Sequence, residues 1–185
     1  MNKLRLFTFL LLAGLFVIES CKKDTIIGSA YTTKPFQANI NSAVWAPDSV
    51  IHTITYNSAS KTKTLLLQGT KEQKQIVMTV ILNNATNTPG FAADTYYIDG
   101  SSVLVDYKTQ VYQNGQYVFL PHGAVSPGSG SITVTSVDSV KKQITGTFHF
   151  YSRSSSVDST GATVITIDNI LGGAFTNLPY TFTSN

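Results

Sequence analysis

Ser131-Ile132-Thr133-Val134-Thr135-Ser136-Val137, then Asp138-Ser139-Val140-Lys141, then Gln143-Ile144-Thr145-Gly146-Thr147-Phe148-His149-Phe150-Tyr151 is the stretch that decides the fold. In its second arm Ile144, Gly146, Phe148 and Phe150 share one face of an extended chain, while Thr145, Thr147, His149 and Tyr151 share the other. The first arm is rich in β-branched residues, which suit a pleated, half-buried surface. The four residues between them are a polar turn. Together they read as a β-hairpin.

The same grammar extends outward in both directions. Phe36–Ile40 places Phe36, Ala38 and Ile40 inward, and Asn41-Ser42 turns tightly towards Val44 and Trp45. Ile51–Asn57 and Lys63–Thr70 flank the turn at Ser58–Lys61. Gln75–Leu82 is apolar on both faces, as expected of a central strand covered on both sides. Ala92–Ile98 ends at Asp99-Gly100, a favoured two-residue turn that leads into Val103–Gln113. Asn114-Gly115 is the strongest hairpin signal, returning through Gln116–Leu120. A Gly- and Pro-rich loop, Pro121–Gly130, precedes the opening hairpin. Thr163–Ile170 and Gly173–Tyr180 close the chain, with Gly172-Gly173 as a bulge. No segment after residue 21 keeps helical spacing. About ten antiparallel strands in sequential hairpins imply one all-β domain, either a β-sandwich or a flattened up-and-down barrel.

The first residues carry an address rather than a fold. Lys3 and Arg5 precede the apolar run Leu6–Ile18, which is shorter than the ~20 residues a helix needs to cross a bilayer. A basic start and a short apolar run define a signal peptide. Ile18-Glu19-Ser20-Cys21 resembles the lipobox of bacterial lipoproteins, with Glu19 an unusual middle residue. Cys21 is the only cysteine, and it stands where cleavage is expected. The expected organisation is therefore a leader over 1–20, a lipidated Cys21 with a flexible tether over 21–34, and a β-domain over 35–185. Two or more acyl chains on Cys21 would anchor it stably to a membrane, at about 0.8 kcal/mol for each buried CH₂. An outer-membrane location in the cell envelope follows from that reading. Lys22-Lys23-Asp24 leaves the periplasmic and surface faces equally open. With Cys21 acylated, disulfides and cysteine nucleophiles are excluded downstream.

Composition narrows the function classes. Charged residues are only 12% of the 185, and the formal net charge is +3. Arg153 is the only arginine beyond the leader, so no basic stripe suited to nucleic acid exists. His52, His122 and His149 share no ligand spacing, and no cysteine can complete a zinc site, so neither metal nor cofactor is expected. Asp99 and Asp138 belong to turns. Asp94, Asp106 and Asp168 lie on strands, but paired-carboxylate hydrolysis needs two such groups ~5–9.5 Å apart. Ser129 lacks the full nucleophile elbow and reads as a loop serine. No catalytic residue is assigned, and the chain is expected not to be an enzyme.

Tyrosine is the one enrichment with functional colour. Tyr96, Tyr97, Tyr107, Tyr112 and Tyr117 fall on strands or beside the Asn114-Gly115 turn, and are the candidate ligand contacts. Rings with a polar tip bury area at little entropic cost, which suits a glycan or an envelope protein. They also simply fill sheets. The leading expectation is a non-catalytic binding or structural domain in the envelope. The alternative is a binder of a small apolar or sugar ligand in a barrel-like cavity. Oligomeric state is not readable from the sequence.

Three stretches resemble a family of small, uncharacterised Bacteroidetes-type lipoproteins that share an all-β domain of unknown function. Phe36-Gln37-Ala38-Asn39-Ile40-Asn41-Ser42 leading to Trp45 looks like its opening hairpin. Gly130 through Val134, leading to Ile144 through Phe150, looks like its glycine-headed hairpin. Ile167 through Gly173-Ala174-Phe175 to Tyr180 looks like its last strand. The likeness spans Lys34 to Tyr180. Ser42 stands where that family usually has glycine, and Ser152–Gly161 is polar and unpatterned. The resemblance implies a lipid-tethered envelope domain and supplies no activity.

Overall fold

The computed structural model describes residues 34–185, so the leader, Cys21 and almost all of the tether lie outside the described residues. Twelve strands form, and no helix is present among the described residues. They are β1 (Phe36–Ile40), β2 (Ala43–Trp45), β3 (Ser49–Asn57), β4 (Thr62–Lys71), β5 (Lys74–Leu82) and β6 (Asp94–Tyr97). β7 (Val103–Gln113), β8 (Gln116–Pro121), β9 (Gly130–Asp138), β10 (Gln143–Val157), β11 (Thr163–Pro179) and β12 (Thr181–Ser184) complete the set. Two six-stranded sheets pack as a sandwich, in the orders β2-β1-β11-β10-β9-β6 and β12-β3-β4-β5-β7-β8. The fold is the sandwich rather than the closed barrel.

The deciding hairpin forms as β9–β10, with Gln143 opposite Asp138 and Phe150 opposite Gly130. Its turn is held by the Asp138 carboxylate, which accepts from the amides of Val140 (3.0 Å) and Lys141 (2.9 Å). Three glycines on the central strands each face a phenylalanine across the ladder: Gly130 and Phe150, Gly146 and Phe175, Gly173 and Phe148. A glycine leaves room for a ring to lie over the neighbouring backbone, and these three rings are at most 2% exposed. A fourth contact joins the two sheets. A Cβ at Gly69 of β4 would lie 2.8 Å from Phe36, Trp45 and Pro47. Phe36 also meets Trp45, His52 and Phe148 edge-on at 5.7 Å. The core thus sits between the sheets, built from the inward row of every long strand.

Several expectations change. β11 is one strand bent at Gly172 (φ 57) rather than two strands, and the bulge falls between the Phe148 and Phe150 pairings as foreseen. β5 is central, but only Ile76, Met78 and Val80 are buried, whereas Val77, Thr79 and Ile81 are half-buried. Among the described residues no second layer covers that face, and its apolar residues are shielded by cross-strand neighbours. Asp99-Gly100 does not join a hairpin. β6 pairs with β9 in one sheet and β7 with β5 in the other, so the turn carries the chain between sheets. The Asp99 carboxylate accepts from the amides of Ser101, Ser102 and Val103, each at 2.8 Å. Nor is the fold all antiparallel, since β12 runs parallel to β3.

The polar segment Ser152–Gly161 contains the end of β10, which runs to Val157. β10 pairs with β11 out to Val157 and Thr163, beyond the last β9 pair at Phe150 and the last β1 pair at Ile170. This two-stranded arm is covered at its base, where Ser152 and Asp168 are buried, and uncovered further out, where Val157, Val164, Ile165 and Ile167 are exposed. β7 and β8 form a second arm around Asn114 (φ 51) and Gly115 (φ 83), both left-handed as their turn requires.

Candidate binding surface at the bases and tips of two β-arms

The candidate tyrosines separate by strand parity. Tyr107 continues the inward row of Val103 and Val105, is 3% exposed, and lies in the core. Burial, aided by Asp168, pushes its phenol up to about 12. Tyr96 is half-buried against Phe91 and donates to the Ala92 carbonyl at 2.8 Å; burial and Asp94 push it to about 12. Tyr97 is exposed on the short edge strand β6. Only Tyr112 and Tyr117 come together. They are direct cross-strand partners near the tip of the β7–β8 arm, edge-on at 5.1 Å and about two-thirds exposed (65% and 66%). The two residues share the arm face with Gln110 and Phe119, the pair two steps along the ladder. No single pocket gathers the five tyrosines; they split between core, edge strand and arm.

The bases of the two arms meet at His122. Its Nε2 lies 3.2 Å from Asp168 Oδ2, and its Nδ1 lies 3.3 Å from Thr109 Oγ1. A carboxylate oxygen accepts, so Nε2 donates to Asp168, while the Thr109 hydroxyl, able to donate or accept, meets Nδ1. Asp168 is 7% exposed and its other oxygen accepts from Asn41 Nδ2 at 2.6 Å. The Tyr107 ring meets the His122 ring edge-on at 5.6 Å. Beside them Ser152 Oγ donates to the His122 carbonyl at 2.6 Å, and Ala124 forms a bridge to Arg153. Four segments are thereby tied together: the β1–β2 turn, β7, the loop after β8, and the start of the β10–β11 arm.

The remaining flagged groups disperse. His52 is buried at 8%, and burial, opposed by the Pro179 carbonyl, holds its imidazole below the ordinary value. His149 is exposed on the outer face of β10. Asp94 is exposed, and Asp106 faces solvent with Lys108 at 3.6 Å. Of the three strand acids only Asp168 turns inward. Ser129 is a loop residue but a buried one, 3% exposed, with its Oγ unpartnered. Among the described residues no group of three or more His, Cys, Asp and Glu converges.

Lys63, at the start of its strand beside the turn, is not solvated as a lysine ordinarily is. It occupies the inward row of β4 with Leu65 and Leu67, and is 4% exposed. Its parity with those leucines was the signal that could have found it. Alternation also placed Tyr107 inward and Tyr112 outward on one strand.

The structure therefore defines a two-sheet β-sandwich with two projecting arms braced at one polar node. A domain of unknown function (DUF6252) matches residues 32–179, and the chain belongs to that family. No curated protein and no solved structure matches it.

Proposed function

We propose that this chain is a lipid-anchored envelope protein whose β-sandwich binds or supports another envelope component without catalysing a reaction. The observation that carries the reading is the exposed Tyr112–Tyr117 pair on a projecting arm whose base is fixed by part-buried hydrogen bonds around His122. Aromatic side chains on a braced hairpin offer contact area that costs little ordering on binding. Both nitrogens of His122 are engaged by Asp168 and Thr109. That arrangement suits a brace better than a base waiting for substrate. The leader, the lipobox-like Ile18-Glu19-Ser20-Cys21 and the family resemblance support anchorage in the outer membrane.

Anchorage and binding are tested separately. Labelled palmitate should enter the wild-type chain and not Cys21→Ala; label retained by that variant removes the lipid assignment. For binding, a Cys21→Ala chain is titrated onto isolated envelopes from the native cells. Replacing Tyr112 and Tyr117 together by Ser should weaken retention about tenfold, the effect of losing about 1.4 kcal/mol. Equal retention of both chains rules out the arm as the contact surface.

A further inference from the structure

At the end of the sandwich away from the arms, Lys63 lies in a row where packing calls for an apolar residue. Its cross-strand partners are Tyr56 on β3 and Leu82 on β5. The ammonium donates to Thr88 Oγ1 at 3.0 Å and to the Gly90 carbonyl at 2.8 Å. An ammonium has three hydrogens, and these two acceptors are neutral. No carboxylate pairs with Lys63 among the described residues. A buried cation solvated only by dipoles is costly unless a counter-charge completes it. Burial accordingly holds its pKa below the ordinary lysine value.

The acceptors belong to the segment between β5 and β6, which is pinned in place. Tyr180 donates to the Pro89 carbonyl, and Tyr96 to the Ala92 carbonyl, each at 2.8 Å. Ala85 N–H donates to the Lys61 carbonyl at 2.9 Å. Between this segment and the ends of β4 and β5 runs a groove of about 420 Å³. Leu82, Phe91 and Ala92 give it apolar walls, Asn84, Thr86 and Thr88 give it neutral polar groups, and Lys63 is its only charged lining residue.

We propose that this groove binds a small carboxylate on an apolar body, with Lys63 as the counter-ion and Leu82 and Phe91 as the apolar contact. The ammonium's third hydrogen goes to the carboxylate, and the bonds to Thr88 and Gly90 hold it in place. The proposal is independent of the arm surface, which lies at the opposite end of the strands.

The probe is hexanoate, with hexanamide as its neutral isostere, titrated to about 20 mM against the full chain while amide NMR shifts are followed. Hexanoate should move the Thr88, Gly90 and Phe91 amides saturably, and bind at least tenfold tighter than hexanamide. Lys63→Gln should abolish that preference, and Lys63→Arg, which keeps the charge, should retain it in part. An unchanged pattern of core amide shifts in each variant shows that the fold survives. Should Lys63→Gln fail to fold, the wild-type comparison of hexanoate with hexanamide still decides. No saturable shift, equal affinity for the two probes, or a preference that survives in folded Lys63→Gln overturns the proposal and leaves Lys63 as a latch for the loop.

Discussion

Adding one methyl group at Gly146 tests the aromatic–glycine packing that organises the larger part of the core. A Cβ there would overlap the Thr133 carbonyl oxygen and Phe175 Cζ, and would stand 2.7 Å from Phe175 Cε2. Neither neighbour can yield cheaply. The Thr133 carbonyl belongs to the β9 backbone, and the Phe175 ring is 0% exposed. Overpacking of this kind costs about 1–3 kcal/mol, and a clash with backbone argues for the upper end. In a domain of this size that is a loss of about 6–12 °C in Tm. Urea unfolding followed through Trp45, the single tryptophan and 4% exposed, measures it. Gly90→Ala is the control, because a Cβ there meets nothing closer than Ser139 at 4.0 Å and should shift stability by less than about 0.5 kcal/mol. Combining Gly146→Ala with Phe175→Leu should recover about 1 kcal/mol relative to the sum of the single changes. If Gly146→Ala and Gly90→Ala unfold at the same urea concentration, the pairing of ring over glycine does not constrain this core.

Two further outcomes follow from backbone strain and from burial. Ser42 holds φ 69 in the β1–β2 turn, a region costly for a side chain, so Ser42→Gly should raise the unfolding free energy by about 0.5–1 kcal/mol and the urea midpoint with it; an unchanged or lower midpoint contradicts the strain. His52 has a folded pKa lowered from 6.5 chiefly by burial, so the unfolded chain takes up the proton first as pH falls. Stability should hold above about pH 6.5 and decline as pH drops through the folded pKa. His52→Leu should flatten that part of a Tm-against-pH curve, and an unaltered slope in the variant assigns the effect elsewhere.

The Asn114-Gly115 turn made the Tyr112–Tyr117 arm readable in advance, because a two-residue type I′ turn fixes its own register. His122 and Asp168 stand apart in the sequence reading, since the forty-five positions between them carry no information about contact. The β11 side of the β10–β11 arm was legible as Thr163–Ile170, whereas its β10 side was not, because Arg153-Ser154-Ser155-Ser156 offers no apolar residue to alternate. Residue type would leave Lys63 at the surface, whereas its parity with Leu65 and Leu67 turns it inward.

Local pattern, then, determined the strands, the tight turns and the all-β class, because strand periodicity and turn conformation depend on neighbours in sequence. Tertiary structure decided which strands share a sheet, why Asp99-Gly100 crosses between sheets, and why β12 lies parallel to β3. It also decided that a buried aspartate meets a histidine and that a lysine closes one end of the core. Those outcomes depend on which surfaces exclude water together, and that is a property of the packed sheets rather than of any one strand.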